Sequence, residues 1–338
     1  IVASPILIPL IAEVVVPRVG HIPRTRTKVG LFDVSHMGEV FIEGEDAVEL
    51  LQMLVPQDVY TLNDKQIMYA QLTNKKGGII DDLLIYKFED EEMIRSAEHF
   101  AYFFDTYRYT KYFPNSYSIQ LIEGDVNTIT STPSFVKSRP LDGDNSNSVL
   151  LKLNKYRHFN FINDEIPFEA KKDKIIGRAI VSQPHRIRFY EMWFGHPMCD
   201  LGHVSDAKLH NPAWRTPKIS REKHLDYKFI LCLEGNDVAT NLKWVMNTNS
   251  LAVMPLPKFE TWFMEGRLIP NYHYVAIKDD YSDLVERMEY YIHHTDEAQA
   301  IINHAHEFVK QFLDKKREDI VSLLVVQKYF EKTGQMSL

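Results

Sequence analysis

The chain has 338 residues, a length that suits two domains of ordinary size. Hydrophobic residues make up 45% and charged residues 25%, a globular composition that excludes an intrinsically disordered chain. The formal net charge of −7 argues against a general nucleic-acid binder, because phosphate contacts need an excess of Lys and Arg.

The first 27 residues carry no assignment. Their apolar start, residues 1–16, is interrupted by two prolines and Glu13, and it falls short of the roughly 20 apolar residues of a membrane-spanning helix. It also lacks the basic start of a signal peptide. Because the first residue is Ile1 and not Met, we expect a fragment, a processed product or a misjoined reading frame.

Residues 28–93 are predicted to be rich in strands. Residues 39–42 and 79–88 indicate strands, the second of them apolar around a pair of aspartates. Residues 47–54 have helical spacing, and the adjacent glycines at 77–78 indicate a turn.

After residue 93 the pattern changes. Short strands are predicted at 118–123, 133–139 and 148–153, with a polar turn at 141–148. From Lys174 onward, apolar strands alternate with helices, which is typical of a parallel sheet wrapped by helices. We predict strands at 174–176, 227–233, 251–254 and 273–277. Helices are predicted near 185–194 and 241–246, and from 282 to about 326 with a break near Thr295.

Three turns of this second part carry side chains with binding chemistry. In an open α/β sheet, ligands bind where strand ends meet helix starts. The turn at 177–186 carries two arginines, and the turn at 234–241 consists of small residues followed by Lys243, a combination that suits a diphosphate. The aromatic segment 262–274 contains His273 and suits stacking on a base or a sugar. Taken alone, these turns are more typical of solvated charges and of core aromatics than of a binding site.

Residues 224–243, HLDYKFILCLEGNDVATNLK, resemble the central block of the family 90 glycosyltransferases. The other segments similar to this family follow in order: EGD (123–125), FVKSRP (135–140), RH (157–158), QPHR (183–186), HPMCD (196–200), PNYHYV (270–275) and DYSDL (280–284). Of these, QPHR and HPMCD look most like the bacterial lipopolysaccharide branch. The resemblance covers about Phe100 to Leu338.

This resemblance implies a GT-B architecture, a UDP-hexose donor, inversion at the anomeric carbon and no bound metal or cofactor. By position, Asp125 matches the aspartate proposed as general base, which would accept the proton of the acceptor hydroxyl; without the resemblance it would be a turn aspartate. Arg186 matches an arginine at the donor diphosphate, and Asn241 stands where some relatives carry an arginine. The predicted donor-binding residues are Arg186, Gly235, Ala239, Thr240, Asn241, Lys243 and His273.

No metal site is predicted. The DGD sequence at 142–144 resembles a metal-binding Asp-x-Asp motif, but its polar neighbours indicate an exposed turn. His304 and His306 are two residues apart on a helix and therefore face different directions, while His293 and His294 are adjacent.

The first part resembles a different family. The run VGLFDVSHMGEV (29–40), with Tyr69 and GGIIDDLLIY (77–86), is similar to the T-protein, the aminomethyltransferase of the glycine cleavage system. By resemblance, Asp82 would contact tetrahydrofolate and Tyr69 would line the folate site. The similar stretch covers only about 65 residues, too few to bury a core of their own. We therefore expect a vestige or a gene-model or assembly join, with Tyr69 and Asp82 as vestigial folate residues.

The predicted fold is α/β, a GT-B-like pair of Rossmann-type domains. The N-terminal domain of the pair is expected to be incomplete and preceded by the strand-rich, T-protein-like fragment. The predicted segments are 1–27 (unassigned), 28–93 (folate-domain fragment), 94–167 (partial acceptor-side half) and 168–338 (donor-nucleotide half with terminal helices).

The sequence thus predicts an inverting hexosyltransferase that moves a hexose from a UDP-sugar to a lipopolysaccharide core hydroxyl. The alternatives are a folate-dependent aminomethyltransferase, which would use tetrahydrofolate, and an inactive fusion or fragment. Cys199 and Cys232 lie in apolar runs, which indicates reduced, buried thiols of a cytoplasmic protein. We expect a cytoplasmic location, peripheral association with the inner membrane, and neither nucleic acid nor protein partner.

Overall fold

The structure, a computed structural model, describes residues 28–33, 39–43, 47–63, 66–73, 79–87, 97–206 and 209–336. The chain divides into two compact units, Ile1–His99 and Phe100–Leu338. The unassigned segment 1–27 and the glycine turn at 77–78 lie outside the described residues.

The first unit contains a four-stranded antiparallel sheet in the order β2-β1-β4-β3. Its strands are β1 (Lys28–Asp33), β2 (Glu39–Glu43), β3 (Ile67–Thr73) and β4 (Ile79–Lys87). The predicted helix at 47–54 is confirmed as α1 (Ala47–Leu54), and the strands predicted at 39–42 and 79–88 are confirmed as β2 and β4.

A short apolar helix and the turn after it make a local core in this unit. On α1, Leu51 and Leu54 are buried, and Val59 of the following 3-10 turn is buried with them. The Gln52 side chain provides hydrogen bonds to two backbone groups of the segment that joins these elements. Its Nε2 donates to the Gln57 carbonyl at 2.9 Å, and its Oε1 accepts from the Val59 N–H at 2.7 Å.

The second unit is built on a five-stranded, fully parallel sheet in the order β10-β9-β11-β12-β14. Its strands are β9 (Lys172–Ala179), β10 (Cys199–His203), β11 (Tyr227–Leu231), β12 (Leu251–Met254) and β14 (Val275–Ala276). The α/β class predicted from strand–helix alternation is therefore confirmed.

Both faces of this sheet are covered, which explains why its strands are apolar without alternation. On β11, Phe229 and Leu231 enter one hydrophobic cluster and Ile230 enters the other. Ile175 and Ile176 of β9 divide in the same way. Successive side chains of a strand point to opposite faces, so each strand contributes to two cores.

Helices complete those two cores. They are α2 (Ala97–Thr110), α3 (Lys155–His158), α4 (Pro184–Trp193), α5 (Arg221–His224), α6 (Leu242–Val245), α7 (Leu284–His293), α8 (Thr295–Leu313) and α9 (Lys315–Lys332). α7 packs into the Phe229 cluster through Leu284 and Met288, whereas α9 packs into the Ile230 cluster through Tyr329 and Phe330. No helix within the described residues has the apolar length that a bilayer crossing requires.

Two sequence-based boundaries need correction. Gly177 and Arg178 were expected in a strand-to-helix turn, but β9 continues to Ala179 and contains both. Arg178 holds β9 to β10, since its guanidinium donates to the Asp200 carbonyl at 2.7 Å and to the Asp200 carboxylate at 2.6 Å. The C-terminal helical region has a second break at Asp314, whose side chain caps α9 by accepting from the Arg317 N–H at 3.0 Å.

Two small sheets complete the second unit. A parallel sheet in the order β5-β6-β8 contains Leu121–Ile122, Ser134–Val136 and Ser148–Leu150, and an antiparallel pair joins β7 (Ser138–Pro140) to β13 (Phe259–Thr261). The strands predicted at 118–123 and 148–153 are therefore shorter than expected. The strand predicted at 133–139 is two strands, separated at Lys137.

Candidate functional site

Three segments of the second unit meet beyond the carboxyl ends of β9 and β11. Two are loops, namely the loop after β5, which carries Asp125, and the loop 232–241 after β11. The third is the single residue Lys137, which separates β6 from β7. In a parallel α/β sheet this edge is where ligands bind. The side chains gathered here therefore define the candidate site.

A buried lysine joins two carboxylates at the centre of this site. The Lys137 ammonium, 2% exposed, contacts the Asp125 carboxylate and lies 2.8 Å from the Asp237 carboxylate. Asp125 comes from the β5 loop and Asp237 from the β11 loop, so one cation holds both loops. An ammonium loses its hydration when buried, and two carboxylates compensate for that loss.

The pKa shifts of Asp125 and Lys137 favour the charged form of each group. Burial alone would raise the pKa of Asp125, but the Lys137 charge and hydrogen bond, with the Asn236 amide and the Arg157 charge, lower it below its ordinary value. Burial alone would lower the pKa of Lys137, yet the surrounding acidic groups, Asp237 first, raise it. Asp125 is therefore held as a carboxylate, and its side chain keeps 26% of its surface exposed.

The Asn236 side chain links the triad to the turn before α4. Its Nδ2 donates to the second oxygen of Asp125 at 3.1 Å, and its Oδ1 accepts from Gln183 Nε2 at 3.2 Å. The Asn236 carbonyl accepts from Asn127 Nδ2 at 3.4 Å. The position of Asp125 thus depends on the loop after β11.

Arg186 on α4 supports the same loop from the other side. Its guanidinium donates to the carbonyls of Glu234 at 2.7 Å, Leu233 at 2.8 Å and Ile180 at 3.0 Å. A guanidinium has five N–H groups, so two remain without a partner among the described residues. Gly235 lies against this group, because a Cβ there would be 3.4 Å from Arg186 Nη2.

Glu234 is a third carboxyl group at this edge. Its Oε1 accepts from the backbone N–H groups of Lys258 at 2.9 Å and Phe259 at 3.3 Å, which ties the β11 loop to the start of β13. Burial raises the pKa of Glu234 to about 7, although those two hydrogen bonds and the Lys258 charge act in the opposite direction.

This shift predicts a pH-dependent stability. Because the folded state holds the Glu234 proton with a pKa of about 7 against an ordinary value of 4.5, folding binds a proton between these values and stability falls as the pH rises through them. The Glu234→Gln variant keeps an acceptor oxygen but cannot titrate. We therefore expect the variant to gain melting temperature relative to wild type between pH 5 and pH 8. An equal difference between the two proteins at both pH values would contradict the assignment.

Lys243 lies elsewhere than predicted. Its ammonium was expected at the donor diphosphate, but its side chain has no exposed surface and pairs at 2.7 Å with Glu265, which is 1% exposed. The rings of Phe159 and Phe263 flank it at 5.8 and 5.4 Å. Lys243 is therefore part of the core, and this placement disagrees with a direct role at a ligand.

The other residues predicted near the α6 start have mixed placements. Ala239 is buried in the Ile230 cluster, and Thr240 is half-buried. Asn241 Nδ2 donates to the Leu231 carbonyl at 2.9 Å and so fixes the loop to the end of β11. Of the predicted donor-binding residues, Gly235 lies beside Arg186.

The aromatic segment 262–274 contributes mainly side chains of the hydrophobic core. Trp262 and Tyr274 are buried, and Trp262 Nε1 donates to Glu318 at 2.7 Å. His273 accepts from the Ile269 N–H at 2.9 Å and lies 5.1 Å from the ring of Phe308, so the structure places it against α8.

The predicted folate residues lie in the first unit. Tyr69 is on β3 and Asp82 is on β4, where the register pairs Tyr69 with Leu84 and Gln71 with Asp82. Their side chains lie outside the described part of the structure.

The two cysteines lie at opposite edges of the five-stranded sheet, Cys232 at the start of the loop 232–241 and Cys199 at the start of β10. Cys232 is buried as expected, whereas Cys199, at the start of β10, is only half-buried; both are free thiols. Across the described residues, no group of three or more His, Cys, Asp or Glu side chains is arranged to hold a metal ion. The polar turn at 142–144 is exposed, and the Asp144 carboxylate accepts a hydrogen bond from the Ser146 N–H at 3.0 Å.

The structure also has a cavity of about 550 Å³ at the amino ends of β9, β10 and β11. Its lining residues are Lys172, Lys174, Phe194, Gly195, Cys199, Asp200, Leu201 and Tyr227. This is the sheet edge opposite Asp125. We place the functional site at the carboxyl edge, because the buried charges and the supporting hydrogen bonds converge there.

The sequence analysis covered the segments that contain Lys137, His158, Glu234, Asn236 and Asp237 but gave none of these five residues a role. One signal was available for Lys137, because a lysine inside the apolar run FVKS is rarely buried unless it is paired. The placement of the others depends on contacts between loops that are distant in sequence.

Comparison with known proteins separates the two parts of the chain. Residues 20–181 match the GCVT N-terminal domain, a range that contains the boundary between the units. Aminomethyltransferases of Clostridium botulinum (strain Okra / Type B1) and Caldanaerobacter subterraneus subsp. tengcongensis are 51% identical over 67 and 65 residues. These stretches span 20% and 19% of this chain but only 18% and 17% of those proteins.

The larger part matches a sugar-transferring family. Residues 190–331 match glycosyl transferase family 90. The O-glucosyltransferase LpsA of Dichelobacter nodosus is 44% identical over 230 residues, which span 68% of this chain and 72% of that protein. With this coverage, the parallel-sheet unit and its loops have a glycosyltransferase counterpart over most of their length. The chain therefore belongs to glycosyltransferase family 90.

Proposed function

We propose that the second unit transfers a hexose from a UDP-sugar to a hydroxyl of a lipopolysaccharide core sugar, with inversion at the anomeric carbon. The observation that carries this proposal is the placement of Asp125. Its partly exposed carboxylate is fixed by Lys137 and Asn236 beside the loop 232–241, which Arg186 supports.

Asp125 would act as the base. Inversion by direct displacement needs a group that accepts the acceptor proton on the face opposite the leaving group. The lowered pKa of Asp125 keeps it ionised and makes it a weak base. Its carboxylate would therefore take the proton late, as the new bond to the anomeric carbon forms and the hydroxyl becomes acidic.

Arg186 and the adjacent backbone would receive the diphosphate. The two guanidinium N–H groups without a described partner can donate to phosphate oxygens, and the missing Cβ of Gly235 leaves the backbone open beside them. These donors would stabilise the charge that develops on the departing UDP. Lys243 has no part in this proposal, because Glu265 already holds it in the core.

The two parallel sheets of the second unit suggest how the substrates divide. We assign the donor to the five-stranded sheet and the acceptor to the side of the three-stranded sheet β5-β6-β8, in the manner of a GT-B enzyme. Asp125 follows β5 and would face the acceptor, whereas the loop 232–241 follows β11 and would face the donor.

Glucose is the hexose that we propose first. Its support is the relative at 44% identity, which is named an O-glucosyltransferase. UDP-galactose is the competing donor to be compared in the same experiments.

Ligand-induced stabilisation of the purified chain tests the donor assignment. A ligand that binds only the folded state adds about 2.7 kcal/mol to the free energy of unfolding at a hundredfold excess over its Kd. The melting temperature therefore rises. We expect UDP and one UDP-hexose to stabilise the protein. Arg186→Lys should reduce this effect, because an ammonium cannot reproduce the fork of donors. Arg188→Lys, an exposed position on the same helix, is the matched control.

The aminomethyltransferase alternative is tested in parallel with tetrahydrofolate. Its support is the similarity of the first unit to part of that family. Stabilisation by tetrahydrofolate and by no uridine nucleotide would overturn the proposal and favour the alternative. Equal loss of UDP binding in both arginine variants would remove Arg186 from the donor site.

A further inference from the structure

The cavity at the amino ends of β9, β10 and β11 is a second place where a small ligand fits. Its volume of about 550 Å³ lies within the usual range of small-molecule sites. Two of its lining residues, Cys199 and Asp200, belong to the segment HPMCD (196–200), to which the proposed function gives no role. Because the cavity lies at the sheet edge opposite Asp125, a ligand bound there is separate from one held at Asp125.

Asp200 presents a fixed, charged acceptor to this cavity. Arg178 donates to one carboxylate oxygen at 2.6 Å, and the Tyr227 hydroxyl donates to the other. Burial alone would raise the pKa of Asp200, but these hydrogen bonds and the Arg178 charge lower it below its ordinary value. A carboxylate has about four acceptor sites, so about two remain here for the hydroxyl groups of a ligand. The side chain keeps 34% of its surface exposed, which leaves those sites accessible.

Two lysines of β9 give the cavity a positive rim. Lys172 and Lys174 both line it, and both are exposed. Lys172 pairs only loosely, at 3.5 Å, with an Asp226 carboxylate that is itself partly exposed. Lys174 forms no ion pair with any residue that the structure describes. An ammonium with spare charge is a suitable partner for a phosphate or a carboxylate group.

Aromatic rings supply the apolar part of the lining. Phe194 and Tyr227 are both half-buried, and the Lys172 ammonium lies 4.8 Å from the centre of the Tyr227 ring. Such rings offer apolar surface to the C–H face of a sugar. An inorganic anion would leave this surface and the Asp200 acceptor unused, whereas an uncharged sugar would leave the lysines unused. A sugar ring that carries an anionic group uses all three.

We propose that this cavity is a binding site for an acidic sugar, a sugar ring that carries a phosphate or a carboxylate group. The anionic group pairs with Lys172 and Lys174, the hydroxyl groups donate to Asp200, and the ring packs against Tyr227 and Phe194. This inference goes beyond the proposed function and does not depend on it. Binding here neither needs UDP nor displaces it from Arg186, which lies at the other edge of the sheet.

The thiol of Cys199 reports occupancy of the cavity. The chain has two cysteines, and Cys232 is fully buried, whereas Cys199 lines the cavity and is half-buried. Burial raises the pKa of Cys199 to about 12, so alkylation is slow enough to follow by mass spectrometry. The native full chain is treated with iodoacetamide at pH 8, with and without glucose 6-phosphate or glucuronate. By mass action, we expect the rate at Cys199 to fall about tenfold when the bound sugar is at about ten times its Kd.

The two acidic sugars and their neutral and inorganic counterparts identify the ligand chemistry. Protection by glucose 6-phosphate alone indicates a phosphate-bearing sugar, and protection by glucuronate alone indicates a carboxylate-bearing one. Glucose and inorganic phosphate, each at the same concentration, should protect Cys199 much less, because each makes only part of the contacts. UDP-glucose should leave the alkylation rate unchanged at concentrations that raise the melting temperature.

A lysine variant and a matched control test the positive rim. Lys174→Gln should weaken protection about tenfold, and Lys310→Gln, which removes a lysine that is 73% exposed on α8, should not change it. Because the Lys174 charge also lowers the pKa of Cys199, the ratio of rates with and without sugar is compared within each variant. Melting of each variant confirms that it is folded.

Four outcomes would overturn the inference. These are no protection by either acidic sugar, equal protection by inorganic phosphate, an unchanged ratio in folded Lys174→Gln, and protection by UDP-glucose equal to that by the acidic sugars. None of the first three bears on UDP binding at Arg186, so the proposed function would stand. Protection by an acidic sugar in a protein that binds no UDP-sugar would leave this inference in place and overturn the proposed function.

Discussion

Replacing Lys243 with Met is expected to lower the free energy of unfolding of the second unit by about 3–5 kcal/mol, since it leaves the Glu265 carboxylate buried without its cation. For a unit of this size, the melting temperature should fall by roughly 6–20 °C. Donor binding should survive at temperatures where the variant is folded, because the Lys243 side chain has no exposed surface.

A compensating substitution and a control at an exposed lysine test whether the lost ion pair causes this destabilisation. Adding Glu265→Gln removes the orphaned charge while keeping an acceptor for the Thr261 N–H, which donates to Glu265 at 2.7 Å. The double variant should recover most of the lost stability. Lys258→Met removes a charge that is 64% exposed, and its effect should stay within about 0.5 kcal/mol. Normal stability of Lys243→Met together with lost UDP-glucose binding would contradict the structure and restore Lys243 to the donor site.

Replacing Lys137 with Met should affect both stability and activity. It leaves Asp125 and Asp237 close together without the buried ammonium, which is expected to cost about 3–5 kcal/mol. The pKa of Asp125 should rise, because the Lys137 charge and hydrogen bond oppose the effect of burial in the wild-type protein. A base works in its ionised form, so the acidic limb of the pH profile of kcat/KM should move to higher pH.

Lys152→Met is the control for this shift. Lys152 is also mostly buried and pairs with Glu318 at 2.9 Å, so its loss should destabilise the unit similarly. Since Lys152 does not contact Asp125, its variant should keep the wild-type pH profile, and Lys137→Arg should restore part of that profile. A shift of equal size in the Lys152 and Lys137 variants would show that instability, and not the charge on Asp125, moves the profile.

Local patterns were sufficient to predict the elements of the fold that depend on local sequence. The helix at 47–54 and the strand at 251–254 are found with those bounds, because the apolar spacing of one and the continuous apolar run of the other admit few alternatives. The predicted boundaries of elements were wrong where packing against other elements overrides the local pattern. Gly177 resembles a turn residue, but in β9 its missing Cβ makes room for Leu201 and Leu231, each 3.0 Å from where that atom would be.

The candidate site was predictable only in part. The resemblance to a known family gave Asp125 and Arg186, and the structure brings both to the carboxyl edge of the sheets. It could not show that Lys243 faces Glu265, because that pairing joins residues 22 apart through the packing of α6. Nor could it show that Lys137 reaches Asp237, 100 residues away, since a sequence motif carries no information about contacts between distant loops.

The most direct test of the central claim is turnover of a sugar nucleotide by the whole chain. UDP release from UDP-glucose and from UDP-galactose is measured with lipopolysaccharide core oligosaccharide as acceptor, for the wild-type protein and for Asp125→Asn. Our account predicts acceptor-dependent release from one of the two donors and a loss of about a hundredfold or more in the variant. No release by the folded wild-type protein, or an equal rate in the variant, would contradict it.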